Sequence, residues 1–157
     1  MSDGIGYYAF RPLRRFADFG GRSRRSELVV WQFAIVFAGT SLLLAFSLAR
    51  SDPEPAMTIL QLLLLWPTLA LLVRRLHDGG LSGWWVLLAL PTAADNLYRD
   101  WQRFATGEMA VDGFATGTAG IVFGTAFIAL FVLLLKPGMP GSNRWGDDPR
   151  YDAPEPA

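Results

Sequence analysis

The only histidine of the chain, His77, stands in the run Arg74-Arg75-Leu76-His77-Asp78-Gly79-Gly80-Leu81-Ser82-Gly83-Trp84-Trp85, between two apolar segments. An imidazole beside a carboxylate suggests a general base and its partner. Adjacent residues on a helix diverge by about 100°, however, so sequence neighbours rarely meet there. No serine sits in a recognisable nucleophile motif. The absence of cysteine excludes thiolate chemistry and disulfides, and a single histidine excludes a multi-histidine metal site. No enzyme activity, cofactor or metal is expected. What remains is guanidinium chemistry, since the arginines of this run, of the N-terminal segment and of the C-terminal tail present planar forks that suit carboxylate or phosphate. Fourteen basic and fourteen acidic side chains cancel, so nothing favours nucleic acid as a partner.

The elements that must position these groups are apolar. Leu28–Leu48 is an uncharged run of 21 residues with Gln32 as its one strongly polar side chain. At about 1.5 Å per residue it matches a hydrocarbon core of roughly 30 Å. A secretory signal is the competing reading, but this run exceeds the roughly 7–15 residues of a signal's apolar region. Met57–Val73 is a second run, of 17 residues, interrupted by Pro67. Trp84–Ala94 is a third, short one. Even extended over Leu81–Leu97 it carries Pro91, Asp95 and Asn96, so the expectation is a short span passing into an interfacial helix, with Leu97, Trp101 and Phe104 on one face; a re-entrant hairpin is the alternative. Phe114–Leu135 is the fourth run. Gly113, Gly117, Gly120 and Gly124 line one face of it, a predicted packing surface within the chain or between copies. Gln32 and Gln61 are expected to hydrogen-bond between helices.

Ahead of these spans, Phe10, Leu13, Phe16, Ala17 and Phe19 recur at helical spacing among six arginines. This is the pattern of a basic amphipathic helix on a membrane surface, or else of an unstructured topogenic tail. Counted over alternate sides of four spans, eleven Lys and Arg fall on one side and three on the other. The bias predicts both termini and the central turn in the cytoplasm. Glu27 near the start of the first span, and Arg74, Arg75 and Lys136 near the ends of later ones, agree with the helix dipole. Gly79-Gly80 suits a helix C-terminus, and Ser82 the cap of the next helix.

Three stretches share the predicted cytoplasmic side: Phe19-Gly20-Gly21-Arg22-Ser23-Arg24-Arg25-Ser26-Glu27, the central turn, and Pro137-Gly138-Met139-Pro140-Gly141-Ser142-Asn143-Arg144-Trp145-Gly146-Asp147-Asp148-Pro149. Together they resemble the small bacterial inner-membrane proteins of domain of unknown function 805. That family pairs an F-x-G-R-x-x-R-x-E lead-in with an R-R-L-H-D-x-x-x-S-G-W-W turn and a P-G-x-x-G-x-N-R-[YF]-G-x-D-P tail. The likeness covers Phe16 to Pro149. This chain departs in Leu28-Val29-Val30 before Trp31, where an aromatic pair is common, and in a longer, more polar stretch over Tyr98–Asp112. The resemblance implies an integral protein of the bacterial inner (plasma) membrane and no assigned activity.

The chain is thus expected to be an all-α, polytopic membrane protein with four transmembrane helices, a short third span and an N-terminal amphipathic segment. Residues 1–27 form a basic cytoplasmic segment, 28–138 the membrane domain and 139–157 a cytoplasmic tail. The candidate site is a cytoplasmic polar network of Arg22, Arg25, Glu27, Arg74, Arg75, His77, Asp78, Asn143, Arg144 and Asp147, with both Arg74 and Arg75 expected to pair with Asp78. As a structural lock it would fasten lead-in, turn and tail together. As a binding site its guanidinium excess would hold an anion, most simply an anionic lipid head group. Small-molecule transport is the weakest reading, because the first, second and fourth spans carry no ionisable residue. The expected partners are membrane lipids, with a second copy or another membrane protein on the glycine face.

Overall fold

The computed structural model describes residues 5–107 and 117–150, and within them every regular element is helical apart from one isolated bridge between Asn143 and Gly146. The described residues form two compact units. One comprises residues 5–83 with 137–150, and the other residues 84–107 with 117–136.

In the first unit, α1 (Ile5–Arg14) packs against the hairpin of α2 (Arg25–Leu48) and α3 (Glu54–Asp78). Both hairpin helices are long and apolar enough to cross a membrane. Glu27 lies in the first turn of α2, where the dipole favours an acid. The helix ends in a Schellman turn. Ser51 N–H donates to the Phe46 carbonyl at 3.0 Å and Arg50 N–H to that of Ser47 at 3.1 Å. Arg50 takes the left-handed conformation (φ 51°) that glycine usually supplies there. The end of α3 repeats the device with Gly80 (φ 78°), and Leu81 N–H reaches the Leu76 carbonyl at 2.9 Å. The pair Gly79-Gly80 therefore stops the helix as its sequence suggests.

Pro67 lies inside a continuous α3. Beside it, Thr68 Oγ1 donates to the Leu64 carbonyl at 2.6 Å and accepts from Trp31 Nε1 at 3.0 Å. That Trp31–Thr68 bond joins α2 to α3. Gln32 and Gln61, expected in this role, are exposed and make no hydrogen bond among the described residues. They sit on the outer faces of their helices, which periodicity alone did not resolve. The hairpin buries Leu28, Trp31, Ala70 and Leu71, while Phe33, Val36, Phe37 and Leu63 point outward. An apolar exterior of this extent suits lipid rather than water.

In the second unit the third apolar run does not form one helix. It divides into a 3₁₀ segment over Gly83–Ala89 and α4 over Leu90–Thr106. Pro91 falls in the first turn of α4, where a missing N–H costs nothing, so it starts this helix rather than interrupting one. Asp95 is buried and takes Arg99 Nε at 2.8 Å, whereas Leu97, Trp101 and Phe104 share an exposed face as their spacing predicts. The last helix, α5 (Gly117–Leu135), is the third that is long and apolar enough to span. Its buried positions are Leu130 and Leu134. A Cβ built on Gly117 or Gly124 meets nothing within 4 Å. The glycines at those two positions therefore do not pack against the described chain, and leucines do the burying instead. Gly120 is half-buried, and Gly113 lies outside the described residues.

Candidate functional site

At the end of the hairpin where α2 begins and α3 ends, the first unit buries an unusual number of charges: Arg22, Glu27, Arg74, Arg75 and Asp78, with His77 nearly buried beside them. Buried charges persist only when they are paired and hydrogen-bonded. The partners come from the lead-in, the turn and the tail.

Asp78 is the hub. One oxygen accepts Arg22 Nε at 3.0 Å and faces Arg22 Nη2 at 2.9 Å. The other accepts Arg75 Nη1 one helical turn back. Arg22 then continues to the tail, donating Nη1 to the Gly141 carbonyl and Nη2 to that of Met139. One guanidinium thereby joins lead-in, turn and tail. The tail passes so close that a Cβ on Gly138 would lie 2.0 Å from the Asp78 carboxylate, which only glycine avoids. Met139 N–H also donates to the Asp78 carbonyl at 2.8 Å, satisfying one of the orphan carbonyls that end a helix.

Arg74 departs from the expected i, i+4 pair with Asp78. It turns toward the lead-in, donating Nη1 to the carbonyls of Arg15 and Asp18 at 3.0 Å each and facing Glu27 Oε1 at 3.5 Å. Glu27 also receives Ser23 Oγ at 2.7 Å and faces Arg11 at 3.5 Å. The reason is angular: Arg74 and Arg75 leave the helix about 100° apart, so one carboxylate cannot serve both once the lead-in supplies another. Arg74 Nε is buried without a partner among the described residues, a donor whose desolvation is uncompensated. Asp18 is partly desolvated, which opposes ionisation, yet its hydrogen bond and charge contact with Arg15 hold the carboxyl below the usual aspartate range.

His77 is held by a backbone carbonyl and an aromatic ring. Its Nδ1 lies 3.2 Å from the Gly21 carbonyl, its ring stacks on Trp145 (centroids 4.5 Å apart, planes 12°), and its other edge faces Gly83. Among the described residues no carboxylate touches the ring, so Asp78 is not its partner. Asn143 donates Nδ2 to the His77 carbonyl at 3.0 Å and accepts Trp145 N–H at 2.9 Å. Arg144 lies over the Trp145 ring, 3.8 Å from its centroid, and Arg25 is exposed at the rim.

Asp147, the expected acid of the tail, is exposed, and its neighbour Asp148 is buried instead. Asp148 takes Arg150 Nε at 2.8 Å and the N–H groups of Gly141 and Arg150 at 3.1 and 3.0 Å. The Arg150 hydrogen bond leads the effects that hold its carboxyl well below the usual aspartate range. The signal was present, because the tail pattern ends in an Asp-Pro step, which here is Asp148-Pro149. Ser23, Asp18 and the two lead-in arginines Arg11 and Arg15 were not foreseen. Their roles depend on the lead-in folding back onto α3, and helical spacing carries no trace of that.

Comparison with known proteins agrees with these three motifs. The family described as "Protein of unknown function (DUF805)" matches residues 16–147. Inner membrane protein YhaI of Escherichia coli (strain K12) is 30% identical over 144 residues, covering 88% of this chain and 92% of its own. The uncharacterized protein YiiR of the same strain is 31% identical over 135 residues, covering 83% and 85%. Inner membrane protein YhaH of that strain is 27% identical over 152 residues, covering 90% and 95%. No solved structure matches. With the Phe19–Glu27 motif, the turn and the tail as far as Asp147 inside the matched region, and with these stretches converging on one buried network, the chain belongs to the DUF805 family of proteins of unknown function.

Proposed function

We propose that this is a four-span inner-membrane protein with both termini in the cytoplasm, and that its polar network is a structural lock closing the cytoplasmic face. The observation that carries the reading is Arg22, which holds Asp78 of the turn and the Met139 and Gly141 carbonyls of the tail at once. This bears on topology too. Lead-in, turn and tail meet at one end of a hairpin, which supports a chain that leaves and returns to one membrane face between Gly83 and Pro137. With α5 as one crossing, the 3₁₀ segment with α4 would supply the second. The excess of Lys and Arg at this face over the other, eleven against three, agrees with a cytoplasmic side, and two relatives bear the name inner membrane protein.

The lock stands ahead of anion binding because the forks of Arg22, Arg74 and Arg75 already face carboxylates and carbonyl oxygens. Lipid is then the surrounding solvent of the spans, with no head group needed to complete the cluster. The role is one of scaffold or interaction rather than catalysis or transport.

Hydrogen exchange of the tail amides tests this. Asp78→Asn, and separately Asn143→Ala (which leaves the buried charges intact), should strip protection from Met139, Asn143 and Gly146, while Asp147→Asn should change nothing. Unaltered tail protection, together with an anionic lipid that co-purifies stoichiometrically and is lost on Arg74→Gln with Arg75→Gln, would replace the lock by a binding site.

A further inference from the structure

The polarity of the lead-in is inverted. Over its C-terminal part, Pro12 is buried and Arg11 turns inward to Glu27, while Arg15 pairs with Asp18 within the lead-in itself. Phe10, Leu13 and Phe16 face outward instead, 61%, 41% and 54% exposed. A helix on a water-facing surface places its charges out and its apolar stripe in. The opposite arrangement fits a segment with a buried polar cluster on its inner side and hydrocarbon on its outer side.

Depth supplies a second, separate observation. The Arg15 and Asp18 carbonyls accept Arg74, one turn inside the end of α3. Further along, the Phe19 ring meets Trp66 edge-on, with centroids 5.5 Å apart and planes at 82°. Trp66 lies twelve residues before Asp78, roughly 18 Å of helix. The lead-in therefore does not rest beyond the end of the hairpin. It runs down beside α3 to the level of the apolar run. Its outward phenylalanines continue the exposed apolar belt of the hairpin, where Val29, Phe33 and Trp66 also face out.

We infer that the end of α1 and the loop to Phe19 are embedded in the headgroup–acyl boundary of the leaflet, with lipid covering Phe10, Leu13 and Phe16. The inference rests on the membrane reading above and adds an occupant for this face. Exposed Arg14 lies at its edge, where a long cationic side chain reaches head groups while its stem stays in the apolar zone. A lipid-seated lead-in also keeps water from the Arg74–Glu27 pair, for which solvent entry would cancel the electrostatic gain.

The absence of cysteine makes the test clean. Single variants Phe10→Cys, Leu13→Cys, Arg14→Cys and Phe16→Cys carry a nitroxide label in liposomes of phosphatidylethanolamine and phosphatidylglycerol, with Phe37→Cys on the outer face of α2 as the reference. Labels at 10, 13 and 16 should collide preferentially with oxygen, as at 37, and the label at 14 with a nickel chelate. Nickel-dominated collisions at 10, 13 and 16, with oxygen still dominant at 37, would place this face in water and overturn the inference. Labels shielded from both reagents would overturn it in favour of a protein cover, a second copy included. A reference label that itself prefers nickel would sink the membrane reading, and this inference with it.

Discussion

Asp78 shows how tightly one carboxylate constrains its surroundings. It receives two guanidinium groups, and the tail backbone passes within what would be a Cβ radius of its oxygens. Gly138→Ala should therefore force the tail away from the turn. Overpacking of this kind costs roughly 1–3 kcal/mol, and a lowered unfolding midpoint in detergent would register it. Asp148 constrains the tail from the other side. Its carboxyl is held well below the usual range, chiefly by Arg150, so the folded state binds fewer protons there than the unfolded chain does. The stabilisation is complete above the ordinary aspartate value of about 3.9 and fades only as the pH falls through the lower folded value. Tail protection should therefore persist at about pH 5, within the range where exposed carboxylates begin to titrate. In Asp148→Asn the protection should already be weaker at neutral pH and lose this share of its acid dependence.

Among the elements, α2 and α3 are joined by close packing, by the Arg74–Glu27 pair at one end and by the Trp31–Thr68 hydrogen bond further along. In lipid an interhelical hydrogen bond contributes about 0.6 kcal/mol on average. Trp31→Phe, which keeps most of the buried ring and removes the donor to Thr68, should therefore lower stability by an amount of that order. A loss several times larger in the unfolding equilibrium would mean that the ring's packing, not its N–H, holds the hairpin. The exposed glutamines Gln32 and Gln61 should tolerate leucine in the same assay. Apolar runs locate a span well, but they leave its rotation about its own axis open, and it is the rotation that decides which polar residue bonds. The third run makes the same point about type. Its proline and short length read as a weak span, whereas the chain resolves them into a 3₁₀ segment and a helix that Pro91 begins.

For the whole molecule, the proposed lock turns a question of span counting into one of parity. Single cysteines introduced at Ser142 and Ser26 should react with a membrane-impermeant maleimide only after cells are opened, and one at Ser51 in intact cells. Labelling of Ser142 from outside would break the parity and remove the second crossing between Gly83 and Pro137. Such a chain would also have to separate its tail from Arg22, at the cost of unpairing buried groups worth roughly 3–5 kcal/mol.

The sequence by itself determined the helical class, the three apolar helices, the turn at Gly79-Gly80 and the motifs that identify the family. Each of these follows from local chemistry: the length of an apolar run, the conformational freedom of glycine, or the order of residue types along a few turns. It also singled out most of the charged residues that meet in the network. Only the tertiary structure decided their pairing. Arg74 went to Glu27 and the Arg15 and Asp18 carbonyls, Asp148 rather than Asp147 turned inward, and His77 found Trp145 and Gly21 in place of Asp78. The physical reason is that a buried charge takes whichever partner the converging backbone brings within reach, and for Arg22 that partner lies 119 residues away in the chain.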